Sequence, residues 1–178
     1  MASPMDTVMI RPAEFVDIPQ LFALNQQWLL ANVGSNTSQG FLSGAFTAAD
    51  FEAMIAARMV VVALDNNGVV AYMLSMNHAA EGILEEHVAV ANSIKQKEII
   101  PSESRVAVGV QTAVQQQYHG TGLIVSVRKA FLALLKDRFD YLFTTISKEN
   151  VRSYHSATKF GWQVVGEHPE HYYLVLQV

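Results

Sequence analysis

The chain of 178 residues contains no cysteine. Without cysteine it cannot hold a disulfide framework, a thiolate metal site or a cysteine nucleophile. It also lacks a run of about 20 apolar residues, the length that crosses a bilayer. Residues 1–6 lack the basic stretch and apolar run of a secretory signal. We therefore expect a soluble protein in the cytoplasm.

The chain also lacks an internal boundary. No stretch rich in proline, glycine or serine divides it, and with 51% hydrophobic and 16% charged residues it is too apolar for disorder. We expect one domain over residues 1–178. The net charge of −4 is spread over the chain instead of forming a tail, which argues against a nucleic-acid partner and is compatible with a cationic substrate. We also expect no membrane partner. The sequence leaves a homodimer open.

Strand and helix patterns mix along the whole chain, which predicts an α/β or α+β fold with a largely buried sheet. Thr47 to Asp50 resembles a capping box at a helix start. Asn66-Asn67-Gly68 separates two apolar runs, as in a tight hairpin. Residues 77–104 show no clear period. The remaining predictions are strands at residues 8–11, 105–114, 141–146, 162–165 and 172–178, and helices that begin near residues 18, 123 and 150.

Residues 106–135 combine a strand, a glycine turn and a helix. The turn Gly120-Thr121-Gly122 leads directly into the helix. The unpaired N–H groups and partial positive charge of a helix N-terminus can hold a phosphate there. An ordinary strand-to-helix connection explains the tripeptide equally well. The chain has no Gly-Lys-Ser/Thr of a P-loop, and Val125 stands where a dinucleotide fingerprint needs its third glycine.

The residues Gln117-Tyr118-His119-Gly120-Thr121-Gly122 resemble the Arg/Gln-x-x-Gly-x-Gly/Ala signature of the GNAT superfamily of acyl-CoA-dependent N-acyltransferases. A second register starts at His119 and places Ile124 at the last small position. The resemblance extends to Ile10-Arg11-Pro12-Ala13, the Asn-Gly hairpin and the stretch from Asn150 to Trp162. It implies a mixed, mostly antiparallel central sheet flanked by helices, with acetyl-CoA as co-substrate and no metal.

The resemblance also implies roles for the binding residues. Backbone groups of Thr112, Ala113 and Val114 would face the pantetheine arm, and the N–H of Val114 would bind the thioester oxygen. Asn150 would contact the arm, although an N-cap bond to the N–H of Ser153 is the other interpretation. The pyrophosphate would lie against His119, Gly120, Thr121, Gly122, Leu123 and Ile124.

The acid and the base are less well defined. Family members carry an acid Tyr two residues before the Lys of Lys-x-Gly-Phe, and here Ala157 stands there. Tyr154, one turn earlier on the same helical face, is the candidate acid, with packing or exposure as the alternative. Residues 106–114 contain no acid, so the base stays unassigned. The candidates for binding or deprotonating the amine are Glu85, Glu86 and His87, with His78 and His155 as further bases; solvated side chains or a metal site are the alternatives.

The sequence thus predicts an N-acetyltransferase. It would transfer an acetyl group from acetyl-CoA to a primary amine of a small molecule or peptide, by direct attack in a ternary complex. The alternative is a non-catalytic acyl-CoA-binding sensor or interaction module with the same fold, which Ala157 and the acid-free strand would suit. Transfer of a longer acyl group is a third hypothesis.

Overall fold

The computed structural model describes residues 8–77 and 83–178, which form eight strands and six α-helices. Short 3₁₀ turns lie at Phe15–Asp17, Thr37–Gln39 and Gln116–Tyr118. In chain order the main elements are β1 (Met9–Pro12), α1 (Ile18–Trp28), α2 (Leu30–Val33), α3 (Ala48–Ala56), β2 (Val60–Asp65), β3 (Gly68–Ser75), α4 (Ile83–Gln96), β4 (Val106–Ala107), β5 (Val110–Val114), α5 (Leu123–Leu135), β6 (Tyr141–Ser147), α6 (Val151–Phe160), β7 (Gln163–Glu167) and β8 (His171–Gln177).

Local sequence signals set many of these bounds. The N–H of Asp50 donates to Thr47 Oγ1 at 3.2 Å and the N–H of Thr47 donates to Asp50 Oδ2 at 2.7 Å, which completes the predicted capping box of α3. The predicted hairpin joins β2 to β3, and Gly68 there has φ +122°. Asn150 caps α6 as predicted. Within the described ranges, the helices are too short or too polar to cross a membrane.

The strands form two four-stranded sheets, in the orders β1-β2-β3-β5 and β4-β6-β8-β7. Every strand pair is antiparallel except β4 with β6. The predicted class, a mixed and mostly antiparallel sheet with flanking helices, is confirmed. The consecutive apolar residues of β2 and β3 are buried, because α5 packs against both strands and α1 packs against β3.

The predicted single strand over residues 105–114 is divided into β4 and β5. Gly109 stands at the break with φ +64°, a backbone conformation that glycine adopts without strain. A Cβ at this position would lie 2.7 Å from Met76 Sδ. Because β5 stays paired with β3 while β4 pairs with β6, β5 and β6 separate beyond the break and leave a wedge between the sheets.

The segment without a clear sequence period contains α4. Its residues Ala91 and Ile94 are buried in a second, smaller core cluster with Phe143 of β6 and Val175 of β8. The helix therefore covers the second sheet beside the wedge. This packing, which depends on a distant strand, fixes an element whose own pattern is weak.

Candidate functional site

Two adjoining clefts open at the wedge. The first, of about 690 Å³ including its open mouth, lies between β5, the glycine turn, residues 39–42 and the start of α6. The second, of about 1110 Å³ on the same measure, lies between β5, β6, α4 and residues 41–44. The residues that line both clefts form what we call the joint: Phe41, Leu42, Thr112, Arg128, Asn150 and Ser153.

The outer edge of β5 faces the wedge. The pairs Tyr72 with Ala113 and Met73 with Thr112, together with the bond from the Gln115 N–H to the Val70 carbonyl (2.8 Å), fix the register against β3. In an antiparallel ladder the backbone groups alternate between the two edges of a strand. Thr112 and Val114 therefore direct theirs into the wedge. Ala113 directs its backbone toward β3, so the predicted backbone contact from Ala113 to an arm in the wedge lacks geometric support.

The glycine turn presents an open surface at the start of α5. Gly120 and Gly122 have φ +78° and +87°, and a Cβ at either would have no atom within 4 Å. Thr121 Oγ1 donates to the Tyr118 carbonyl at 2.7 Å and accepts from the Leu123 N–H at 3.3 Å. The Thr121 hydroxyl is therefore engaged within the turn. Leu123 buries its side chain, whereas Ile124 lines the first cleft.

His119 is turned back onto β5. Its Nε2 lies 3.1 Å from the Val114 carbonyl, and its ring packs at 5.5 Å from that of Trp28. Since a carbonyl can only accept, Nε2 carries the proton. Burial, and then the charge of Arg152, lower the pKa of His119 below its ordinary value. The ring is therefore neutral near pH 7, and the positive charge of the first cleft comes from Arg152 and Arg128.

The first turn of α6 ties down the segment that covers the clefts, residues 37–44. Asn150 Oδ1 accepts from the Ser153 N–H at 3.2 Å, and its Nδ2 donates to the Phe41 carbonyl at 2.8 Å. Arg152 donates to the Gln39 side chain. Asn150 is thus both the predicted cap and a wall of the joint, and its amide is already engaged with Phe41.

A buried polar network, missed by the sequence analysis, fixes the other end of this segment. Asn25 and Tyr72 are fully buried, and Tyr72 donates to Gln111 Oε1 at 2.6 Å. The Gly44 carbonyl accepts from Asn25 and Gln111, each at 3.0 Å. Gln111 also lines the second cleft. Three separate elements meet in this network, so no local pattern could reveal it.

Arg128 was also missed. It is 7% exposed, lies in the joint, and donates from Nη1 to the Ser156 carbonyl at 2.9 Å. Its guanidinium lies 5.2 Å from the centroid of Phe160, and Nε has no hydrogen-bond partner among the described residues. Burial lowers the pKa of Arg128 to about 10, so it stays charged at neutral pH. The one available signal was an arginine beside Val127 on the apolar face of α5.

The predicted acid does not reach the wedge. The ring of Tyr154 packs against Tyr172, with centroids 4.7 Å apart, and lines neither cleft. Its neighbour His155 is exposed. Ala157 does line the second cleft but carries only a methyl group. The assignment of Tyr154 as the acid therefore has no geometric support.

Glu85, Glu86 and His87 lie on α4, but their side chains do not all line the same cleft. Glu85 and Glu86 are both exposed. Glu86 and His87 line the second cleft, whereas Glu85 lines neither. His87 Nε2 lies 3.4 Å from Thr145 Oγ1. In the part of the chain that the structure describes, no three His, Asp or Glu side chains converge as metal ligands would. His78 lies outside the described residues.

The sequence matches neither a family model nor a curated protein. Solved structures do match the fold. A GNAT-family acetyltransferase from Streptococcus agalactiae is 17% identical, with 96% of this chain and 95% of that chain covered and a TM-score of 0.66. A GNAT-family acetyltransferase from Listeria monocytogenes is 13% identical, with 96% of this chain and 95% of that chain covered and a TM-score of 0.65. The ribosomal-protein-S18-alanine N-acetyltransferase from Escherichia coli is 12% identical, with 96% of this chain and 94% of that chain covered and a TM-score of 0.59.

Proposed function

We propose that this chain, which has the GNAT fold, is an acyl-CoA-dependent N-acyltransferase. The first cleft takes the donor, acetyl-CoA, and the second takes an amine. The observation that carries the proposal is the free edge of β5, which ends at an open glycine turn and faces a wedge that the described strands leave unfilled.

The donor arm fits that edge chemically. The pantetheine arm of CoA is extended and carries two amide groups, so it can pair with Thr112 and Val114 as an added strand does. At the end of the strand, the backbone of residues 119–124 meets the pyrophosphate at the N-terminus of α5. Arg152, which also lines the first cleft, supplies positive charge beside it.

The thioester belongs at the joint, where the two clefts meet. Thr112 lines both clefts, whereas Val114 lines only the first. We therefore assign the binding of the thioester oxygen to the Thr112 N–H in place of Val114, which contacts the arm farther from the reaction. A backbone N–H aimed at the carbonyl oxygen stabilises the negative charge that develops there.

The amine occupies the second cleft. Glu86 attracts a cationic amine, and the imidazole of His87 in the same cleft is the candidate acceptor of its proton. The free amine nitrogen then bonds to the thioester carbon, the carbon–sulfur bond breaks, and the products are an amide and CoA. One protein of this fold acetylates an alanine of ribosomal protein S18, so a peptide amine is a candidate acceptor beside small primary amines.

An amine screen tests the proposal. The protein is incubated with acetyl-CoA and a panel of small amines and short peptides, and free CoA and the acetylated product are quantified by mass spectrometry. We expect a product whose formation depends on protein and amine together. If acetyl-CoA binds and no amine on a broad panel reacts, the non-catalytic sensor replaces the enzyme, an outcome that Ala157 in the second cleft would suit.

A further inference from the structure

Arg128 is a buried cation at the joint. Of the described residues that line both clefts, it alone carries a charge. Thr112 and Asn150 stand at the same junction and are neutral. A charge here faces both the donor arm and the amine of the proposed reaction.

The surroundings of Arg128 leave that charge incompletely stabilised. One of its five N–H groups donates to a backbone carbonyl, and the ring of Phe160 adds a cation–π contact. Within residues 8–77 and 83–178, no carboxylate forms an ion pair with it. A buried charge without a partner is costly, and a guanidinium does not escape that cost by losing its proton at neutral pH. A bound ligand that brings negative charge to the joint would remove the imbalance.

The other titratable groups around the clefts do not supply this charge. In the first cleft, the Tyr118 hydroxyl donates to Asp65 and His119 donates to Val114, while Arg152 is held by Gln39. In the second cleft, Glu86 and His87 project from α4. Arg128 projects from α5 and is held against α6 by Ser156. Of these titratable groups, Arg128 is the one that lies at the joint.

We propose that Arg128 binds the sulfur of the departing CoA thiolate, an inference that rests on the proposed function. When the amine nitrogen bonds to the thioester carbon, the electron pair of the carbon–sulfur bond passes to sulfur. The proton of the amine goes to His87 or to water, and the sulfur leaves as a thiolate paired with the guanidinium. This route needs no acidic side chain at Ala157, and it is consistent with a Tyr154 that faces Tyr172.

The test measures the ionisation of the thiol of CoA bound to the full chain, read as thiolate ultraviolet absorbance between pH 6 and 9. In the wild type we expect this thiol to ionise at least about one pH unit below that of free CoA. Arg128→Met should abolish the shift and lower kcat with acetyl-CoA by about tenfold or more while KM changes little. Arg128→Lys should retain part of the shift. If the thiol ionises at the same pH in free CoA and in CoA bound to the wild type, the proposal is overturned and no variant is needed.

Arg138→Met is the matched control. Arg138 also donates to backbone carbonyls, those of Ala57 and Arg58, and lies 5.7 Å from the centroid of Phe139, yet it lines neither cleft. Its removal should leave the ionisation of the bound thiol unchanged. An equal loss of the shift in both variants would show a general structural effect and overturn the proposal.

Three further outcomes separate the claims. If calorimetry shows no binding of CoA to the wild type, the proposed function fails and this inference fails with it. If CoA binds and Arg128→Met, or Arg128→Gln should the former not fold, keeps the full shift together with the wild-type kcat, this inference alone is overturned. If the wild type prefers succinyl-CoA to acetyl-CoA and Arg128→Met loses that preference, Arg128 binds an acyl carboxylate and the sulfur assignment is wrong.

Discussion

Gly122 shows how a single residue shapes the donor site. It precedes α5 in a left-handed conformation, with φ +87° and ψ −3°, and space lies open beyond the position of its missing Cβ. That space is where the proposed pyrophosphate approaches the backbone. A side chain here would meet the ligand before it met any part of the protein.

Gly122→Val should therefore raise the KM for acetyl-CoA by about tenfold or more with a smaller effect on kcat, because the branched side chain fills the phosphate cradle. Steady-state kinetics measure the change. Gly122→Ala is the control, since it carries the same left-handed strain, about 1–2 kcal/mol, with less bulk. A folded Gly122→Val with the wild-type KM would refute the placement of the pyrophosphate.

The lowered pKa of His119 should make the free energy of unfolding depend on pH. Its pKa is lowered in the folded protein, so the unfolded chain binds a proton more readily in the window between the folded pKa and the ordinary value of 6.5. The contribution to stability is present above that window and is lost as the pH falls through it. His119→Gln keeps an N–H donor for Val114 and does not titrate. Urea unfolding between pH 7.5 and 5 should show that the free energy of unfolding falls less steeply with pH in the variant than in the wild type. Equal slopes in the two proteins would contradict a lowered pKa of His119.

The Tyr154→Phe variant tests whether Tyr154 acts as the general acid or only packs against Tyr172. The sequence pattern predicts a lower kcat, whereas the contact with Tyr172 and a side chain that lines neither cleft predict a kcat within about twofold of the wild type. A pH profile of kcat with the best amine of the screen makes the comparison. A large loss of kcat that leaves stability unchanged would restore Tyr154 as the acid.

At the scale of elements, the break between β4 and β5 creates the wedge. Gly109→Ala introduces a Cβ into the left-handed region and within 2.7 Å of Met76 Sδ. We expect a loss of unfolding free energy larger than the roughly 1–2 kcal/mol of the strain alone, measured by urea denaturation. Gly122→Ala supplies the comparison, because its Cβ meets no atom. If Gly109→Ala and Gly122→Ala lose the same free energy of unfolding, close packing against Met76 does not enforce the break.

The elements that the sequence predicts best are those with local signals. The Thr47–Asp50 capping box, the Asn-Gly hairpin and the Asn150 cap each depend on atoms a few residues apart. The division of the strand at Gly109 depends on Met76 across the sheet, and the polar network of Asn25 and Tyr72 joins residues far apart in the chain. Arg128 follows Val127 on the apolar face of α5, but its contacts with Ser156 and Phe160 depend on the packing of α6. Tertiary contacts therefore decide what local patterns leave open.

At the scale of the whole molecule, the split sheet exposes the strand edge that we propose as the binding surface. Exposed strand edges normally invite pairing with other chains. Here β5 ends at the glycine turn, and residues 37–44, held at Asn150 and Gly44, cover the wedge. The fold thus leaves room for a slender extended ligand while shielding the edge from a second strand.

The most direct test of this account is a calorimetric titration of the wild-type protein with acetyl-CoA. We expect one binding site per chain with a dissociation constant below about 1 mM, and weaker binding in Gly122→Val. Absence of binding at millimolar acetyl-CoA would contradict it.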